Sequence, residues 1–136
     1  LSALSTPHCE RAHPFFIGQD EGLRFWLHHG ARDALPRARV LYLHPLAEEM
    51  NRSRRMAALQ ARALAAAGME VLQIDLLGCG DSAGEFADAT WDHWIADALR
   101  ACRWLRERGG EVPLWIWGLR AGALLAVDAA RALDDT

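Results

Sequence analysis

The sequence predicts an α/β domain whose mostly parallel sheet carries helices on both faces. Three observations lead there. From Val40 onward, apolar strand-like runs alternate with helical periods in the order β-α-β-α-β-α. Those runs are apolar throughout rather than at every second residue, as strands covered on both faces are. Each ends in a loop, so three loops gather at the carboxyl edge of the sheet, where such folds hold ligands. The whole chain, residues 1–136, reads as one domain with a core hydrophobic enough (51%) to fold.

In chain order, residues 1–14 lack a sustained period and read as an irregular lead-in. Residues 15–39 read as a hairpin and linker: Phe15-Phe16-Ile17, a turn from Gly18 to Gly22, a strand from Leu23, then a stretch containing Pro36. His28 and His29 are adjacent on that second strand, so one is expected inward and the other solvated. Residues 40–136 form the βα core.

Val40-Leu41-Tyr42-Leu43 is its first strand, and Asn51 is the expected N-cap of the helix that follows. Met56, Leu59, Ala63, Leu64 and Ala67 share one face of that helix, which Gly68 stops. Arg52, Arg54, Arg55 and Arg62 fall on its ends and solvated side. Residues 70–75 make the second strand. Thr90 caps a helix over residues 91–108, with Ile95, Ala98, Leu99, Cys102 and Leu105 at helical spacing and Gly109-Gly110 as its stop. Trp91, Trp94 and Trp104 are expected in packing. Leu114-Trp115-Ile116-Trp117 is the third strand, and its helix runs to about Leu133.

Charge and cysteines narrow the function classes. A net charge of -3 gives no reason to expect nucleic acid or an anionic membrane as partner. No apolar run approaches the roughly 20 residues of a membrane span. Cys9, Cys79 and Cys102 lack C-x-x-C spacing and fit reduced thiols in the cytoplasm. No H-x-x-x-H or H-E-x-x-H spacing occurs, so no metal is expected. No cofactor is expected either, because Gly78-Cys79-Gly80-Asp81-Ser82-Ala83-Gly84 lacks the lysine of a phosphate-binding loop. The chain opens on Leu1 and stops just past a helix, and is read as part of a longer protein.

The chemistry centres on Gly118-Leu119-Arg120-Ala121-Gly122. The two glycines have the spacing of G-x-S-x-G, a sharp strand-to-helix turn that presents a nucleophile. Here the central residue is Arg120, whose guanidinium stays protonated and is a very poor nucleophile.

All three loops resemble those of the α/β-hydrolase superfamily, in its serine-aminopeptidase-like and esterase-like branch. His44-Pro45 stands where that superfamily usually has His-Gly, residues 75–82 look like its D-x-x-G-x-G-x-S loop, and residues 118–122 look like its elbow. The stretches HPLAEEMNRSRRMAALQARALAAAG, QIDLLGCGDSAGEFADATWDHW and LWIWGLRAGALLA resemble more narrowly the hydrolase called exosortase A system-associated, type 2, encoded beside bacterial exopolysaccharide systems. The similarity runs from about Phe15 to the end and implies the N-terminal half of an α/β-hydrolase fold. It also implies that the narrower family shares Arg120, that the backbone N–H groups of Leu46 and Ala121 form an oxyanion hole, and that His44 is structural. The acid and histidine of the superfamily follow the elbow, and none of the six histidines here does.

Two functions remain open. One is hydrolysis of an ester, thioester or amide by the full-length protein, with His44, Glu48, Glu49, Cys79 and Ser82 as residues lining the site. In that reading the nucleophile comes from elsewhere: Ser82 and Cys79 lie on an adjacent loop but are expected to serve its architecture, and a further route has a water, activated by the superfamily's histidine, attack while Arg120 clamps an anionic substrate. The other is binding of a small-molecule anion, an acidic saccharide or a lipid-linked phosphate, at Arg120 and the helix N-terminus beside it. In both, Arg120 is also open to internal pairing with Glu48, Glu49, Asp75 or Asp81. Oligomeric state does not follow from the sequence.

Overall fold

The computed structural model describes residues 12–31 and 35–135. Its five strands are β1 (Ala12–Gln19), β2 (Gly22–His29), β3 (Arg39–Leu43), β4 (Glu70–Ile74) and β5 (Leu114–Gly118). Three helices follow the last three strands: α1 (Glu48–Ala66), α2 (Trp91–Arg106) and α3 (Ala121–Asp134). The strand order is β1-β2-β4-β3-β5, with β3, β4 and β5 parallel and the β1–β2 hairpin antiparallel beside β4. The fold is therefore the α/β class that the alternation predicts.

Several local expectations change. β1 begins at Ala12, inside the stretch read as irregular, and the hairpin turn is only Asp20-Glu21 rather than 18–22. Residues 1–11, with Cys9, and linker residues 32–34 lie outside the described residues. His28 and His29 are both buried, because β2 lies between β1 and β4 and both of its faces are covered. His28 Nε2 meets Glu70 Oε2 at 2.6 Å, and His29 Nε2 meets Gln73 Oε1 at 2.7 Å.

Helix α1 departs most from its sequence pattern. It starts at Glu48, with Ala47 rather than Asn51 at the N-cap and no side-chain cap. Its buried face is Met50, Ala57, Ala61 and Ala65, while Met56 and Leu59 are exposed. The sheet already supplies bulk on this side: Val40, Val71 and Trp117 pack around Ala61. A stripe of alanines lets the helix axis come close to such a surface, so residue size rather than hydrophobicity alone sets its rotation.

Helix α2 follows its pattern. Thr90 Oγ1 accepts from the His93 N–H and His93 Nδ1 accepts from the Thr90 N–H, both at 3.1 Å, a reciprocal cap with histidine in the usual place of glutamate. Ala98, Cys102 and Leu105 are buried in the main core with Trp26, Leu41, Leu72 and Trp94. Trp91 Nε1 donates to Asp128 Oδ2 at 2.8 Å, tying α2 to α3.

One carboxylate in this core has a partner on every side. Asp97 accepts from Arg24 Nε at 3.0 Å, Gln19 Nε2 at 2.7 Å and the Leu77 N–H at 2.8 Å. It thereby fastens the hairpin and the loop after β4 to α2. Burial raises its pKa even so.

Candidate functional site

The loops after β3, β4 and β5 leave the sheet at one edge, since the three strands are parallel and in register from Leu43 to Ile74 and Gly118. The β5–α3 turn has the geometry its glycines suggest. A Cβ on Gly118 would penetrate the Gly122 carbonyl, and one on Gly122 would penetrate the Leu43 carbonyl. Strand, turn and helix therefore cross at a distance only glycine permits. Arg120 between them has φ 54° and ψ -118°, a backbone state that stores roughly 1–3 kcal/mol of strain in a residue with a side chain.

A second turn repeats that conformation. Ala47, between β3 and α1, has φ 55° and ψ -134°. Neither α1 nor α3 has a side-chain N-cap, and the Leu46 and Ala121 N–H groups have no acceptor among the described residues. Two helix N-termini thus open at one sheet edge with donors free, an arrangement that favours negative charge.

Arg120 extends over the gap between them. Its Nε lies 2.9 Å from Glu49 Oε2, with 71% of the Arg120 side chain and 48% of the Glu49 side chain exposed. Pro45, Glu49, Ser53, Met56, Leu119 and Arg120 enclose a cleft of about 330 Å³. Glu48 turns the other way: it pairs loosely with Arg52 (3.7 Å) and borders a second cavity of about 420 Å³. Ala47, Met50, Cys79, Gly80 and Phe86 line that cavity too.

The other sequence candidates take structural places. His44 is buried, with Nδ1 2.7 Å from the Pro45 carbonyl and Nε2 accepting from the Leu76 N–H at 3.1 Å. Both ring nitrogens are occupied and burial lowers its pKa, so it is a neutral brace between two loops rather than a base in the Arg120 cleft.

Ser82 does not line the site either. Its Oγ donates to the Asp75 carbonyl at 2.5 Å and accepts from the Phe25 N–H at 2.9 Å, so its lone pairs and proton serve the loop. Cys79 lines the larger cavity, but burial, aided by the charges of Asp75 and Asp97, pushes its thiol up to about 11. A neutral thiol is a weak nucleophile. Asp75 is spent on the Asp81 N–H (2.9 Å) and on Arg54 (3.2 Å). Among the described residues no group of three or more His, Cys, Asp or Glu could hold a metal ion.

Two features escaped the sequence reading. Asp97 was detectable as a lone carboxylate on the apolar stripe of α2, between Trp94 and Ala101. The strained Ala47 carries no sequence signal, because alanine does not announce a positive φ.

The chain is similar to several known proteins. A family profile described as serine aminopeptidase, S33, matches residues 34–135. Protein ABHD12B of Homo sapiens is 32% identical over 110 residues, covering 81% of this chain and 28% of the human protein. Lysophosphatidylserine lipase ABHD12 of Xenopus tropicalis is 31% identical over 94 residues, 69% of this chain and 23% of its own. The chain thus spans about a quarter of the length of these relatives.

Among solved structures, an α/β serine hydrolase without lid from Xanthomonas campestris superposes with a TM-score of 0.76 at 24% identity, covering 91% of this chain and 57% of that one. A soluble variant of monoglyceride lipase from Saccharomyces cerevisiae gives 0.72 at 18% identity, with 90% and 39% covered. Both likenesses speak for the fold.

Proposed function

This chain belongs to the serine aminopeptidase (S33) family of α/β-hydrolases, and from that premise we propose that the whole protein cleaves an ester, thioester or amide with Arg120 as an anion clamp in place of a serine nucleophile. The observation that carries this reading is Arg120 itself: an exposed, permanent cation on the strained turn, beside two uncapped helix N-termini. Leu46 and Ala121 N–H groups serve as the oxyanion hole, and the guanidinium holds a carboxylate or phosphate of the substrate by a bidentate pair.

Water is the attacking group. Its oxygen bonds to the carbonyl carbon, its proton passes to a base supplied beyond the described residues, and the leaving oxygen, sulfur or nitrogen departs with a proton. The ABHD12 relatives are named for a lipid ester with an anionic headgroup, a class that suits such a clamp. The finer setting, a bacterial cytoplasmic hydrolase working beside exopolysaccharide and exosortase systems, rests on the resemblance of residues 44–68, 73–94 and 114–126 alone.

A panel of acyl esters and thioesters, with and without an anionic group, tests the proposal on the full-length protein. Turnover is expected to favour anionic substrates, and Arg120→Ala to lower kcat/KM on them by about 10–100-fold, the loss expected for a charge-assisted contact to a fixed anionic group of the substrate. Unchanged activity in Arg120→Ala removes the clamp.

A second reading has its own observation. Glu49 already presents a carboxylate to Arg120 at 2.9 Å, so the place accepts an anion without any chemistry following. In that case the protein is an inactive member that binds an acidic saccharide or a lipid-linked phosphate. Calorimetry with uronic acids and polyprenyl phosphates separates the two: heat without turnover on the acyl panel selects the binder.

A further inference from the structure

Helix α1 carries a charge pattern that neither the packing of the fold nor the Arg120 turn uses. Residues 50–69 hold four arginines and no Asp or Glu, in a chain whose net charge is -3. Arg54 turns toward Asp75 at 3.2 Å. The other three, Arg52, Arg55 and Arg62, are exposed. Glu48 answers Arg52 loosely at 3.7 Å, and Arg55 and Arg62 enter no ion pair among the described residues.

Apolar side chains stand among these cations. Met50, Ala57, Ala61 and Ala65 are buried against the sheet, so the opposite face of the helix points outward. On it Leu59 is 50% exposed and Met56 is 49% exposed. Leu59 lies four residues after Arg55, three after Met56 and three before Arg62, which makes all of them its neighbours on one surface. A lone exposed leucine needs no explanation. Two apolar side chains set beside unpaired arginines form the pattern of a helix at a lipid interface, where apolar groups enter the acyl boundary and cations stay among the phosphates.

We propose that the outer face of α1 docks the protein on an anionic phospholipid surface, with Leu59 and Met56 entering the headgroup region and Arg55 and Arg62 meeting lipid phosphates. Charge complementarity selects this occupant, together with the apolar centre of the patch. A nucleic acid or an acidic polysaccharide would engage the arginines and leave Leu59 unused. The negative charge of the whole chain does not oppose docking, because screening over about 8–10 Å lets a bilayer sense chiefly the nearest face.

The same orientation sets the mouth of the Arg120 cleft beside the lipid, since Arg52 and Met56 line that cleft too. The docking rests on α1, not on the chemistry assigned to Arg120, so either can fail alone.

Co-sedimentation of the full-length protein with vesicles tests this. Vesicles of phosphatidylcholine with about one third phosphatidylglycerol should bind at least about tenfold more tightly than phosphatidylcholine alone. Salt at about 1 M, where the Debye length is about 3 Å, should abolish the difference. Arg55→Gln combined with Arg62→Gln is expected to weaken binding to the anionic vesicles by about 25-fold, roughly fivefold per arginine. Leu59→Ser is expected to weaken it by about tenfold. All three positions are exposed, so the unfolding midpoint should stay where it is. Equal binding to neutral and anionic vesicles, or wild-type binding by the double variant, overturns the proposal. So does a Leu59→Ser protein that binds like wild type, because the patch then reads charge alone and suits a soluble polyanion rather than a bilayer.

Discussion

Arg120 and Glu49 meet at 2.9 Å, Nε to Oε2, across the gap between the N-termini of α3 and α1. An ion pair this exposed contributes about 0–1 kcal/mol to stability. It occupies the cation without burying it. Glu49 therefore acts as a built-in competitor for any anion that approaches the turn.

Glu49→Gln is expected to leave the stability within about 1 kcal/mol of wild type and to tighten binding of inorganic phosphate or glucuronate by about fivefold. Parallel titrations by calorimetry read the effect. Equal affinities in the two proteins would mean that the carboxylate does not compete.

The strained turn predicts opposite outcomes for glycine lost and glycine gained. Gly118→Ala and Gly122→Ala each force a methyl into a backbone carbonyl and should destabilise by roughly 2–4 kcal/mol. Arg120→Gly relieves the φ of 54° and should stabilise by about 1 kcal/mol despite losing the ion pair, since strain relief outweighs the added chain entropy. Urea unfolding of the three variants checks the signs. A destabilised Arg120→Gly would show that the turn is not strained by its side chain.

Cys79, with its thiol held near 11 against an ordinary 9, should carry about a hundredfold less thiolate than a free cysteine at neutral pH. Iodoacetamide labelling at pH 8 in a Cys9→Ser background is expected to be slow by about that factor, and Cys102, likewise near 11, slower or equal. Rapid labelling of Cys79 would restore it as a nucleophile.

At the far end of the sheet from Arg120, Glu70 anchors a buried charge cluster. Burial opposes its ionisation, but hydrogen bonds from His28 and Arg39 and the nearby charge of Arg108 outweigh that, bringing its pKa down to about 2 from 4.5. A carboxylate with a depressed folded pKa stabilises the fold above its unfolded value. That stabilisation should be complete above about pH 5 and disappear as pH falls from 4.5 to about 2, an effect of about 3 kcal/mol.

Glu70→Gln should flatten this part of the acid-unfolding curve. At neutral pH it should also destabilise by about 3–5 kcal/mol, because Arg39 and Arg108 lose their counter-charge. Asp97, raised by burial, titrates with the opposite sign, so the difference between variant and wild type isolates Glu70.

Much of this architecture was legible before any coordinates. The unalternating apolar runs at Val40, Val71 and Leu114 require cover on both faces, which fixes a parallel sheet with helices on either side. The glycines at 118 and 122 mark the turn because their steric demand is local and survives in one dimension. Arg120 was legible as a cation at that turn for the same reason.

What the chain order could not show is where a side chain points once neighbours compete for the same space. The alanine face of α1, the burial of both His28 and His29, the conversion of His44 and Ser82 into braces, and the choice of Glu49 over Glu48 as partner of Arg120 all depend on which surfaces meet. Sequence sets the period and the backbone constraints, which act between neighbours along the chain. Only the folded packing sets volume, burial and hydrogen-bond supply, which act between residues far apart in it.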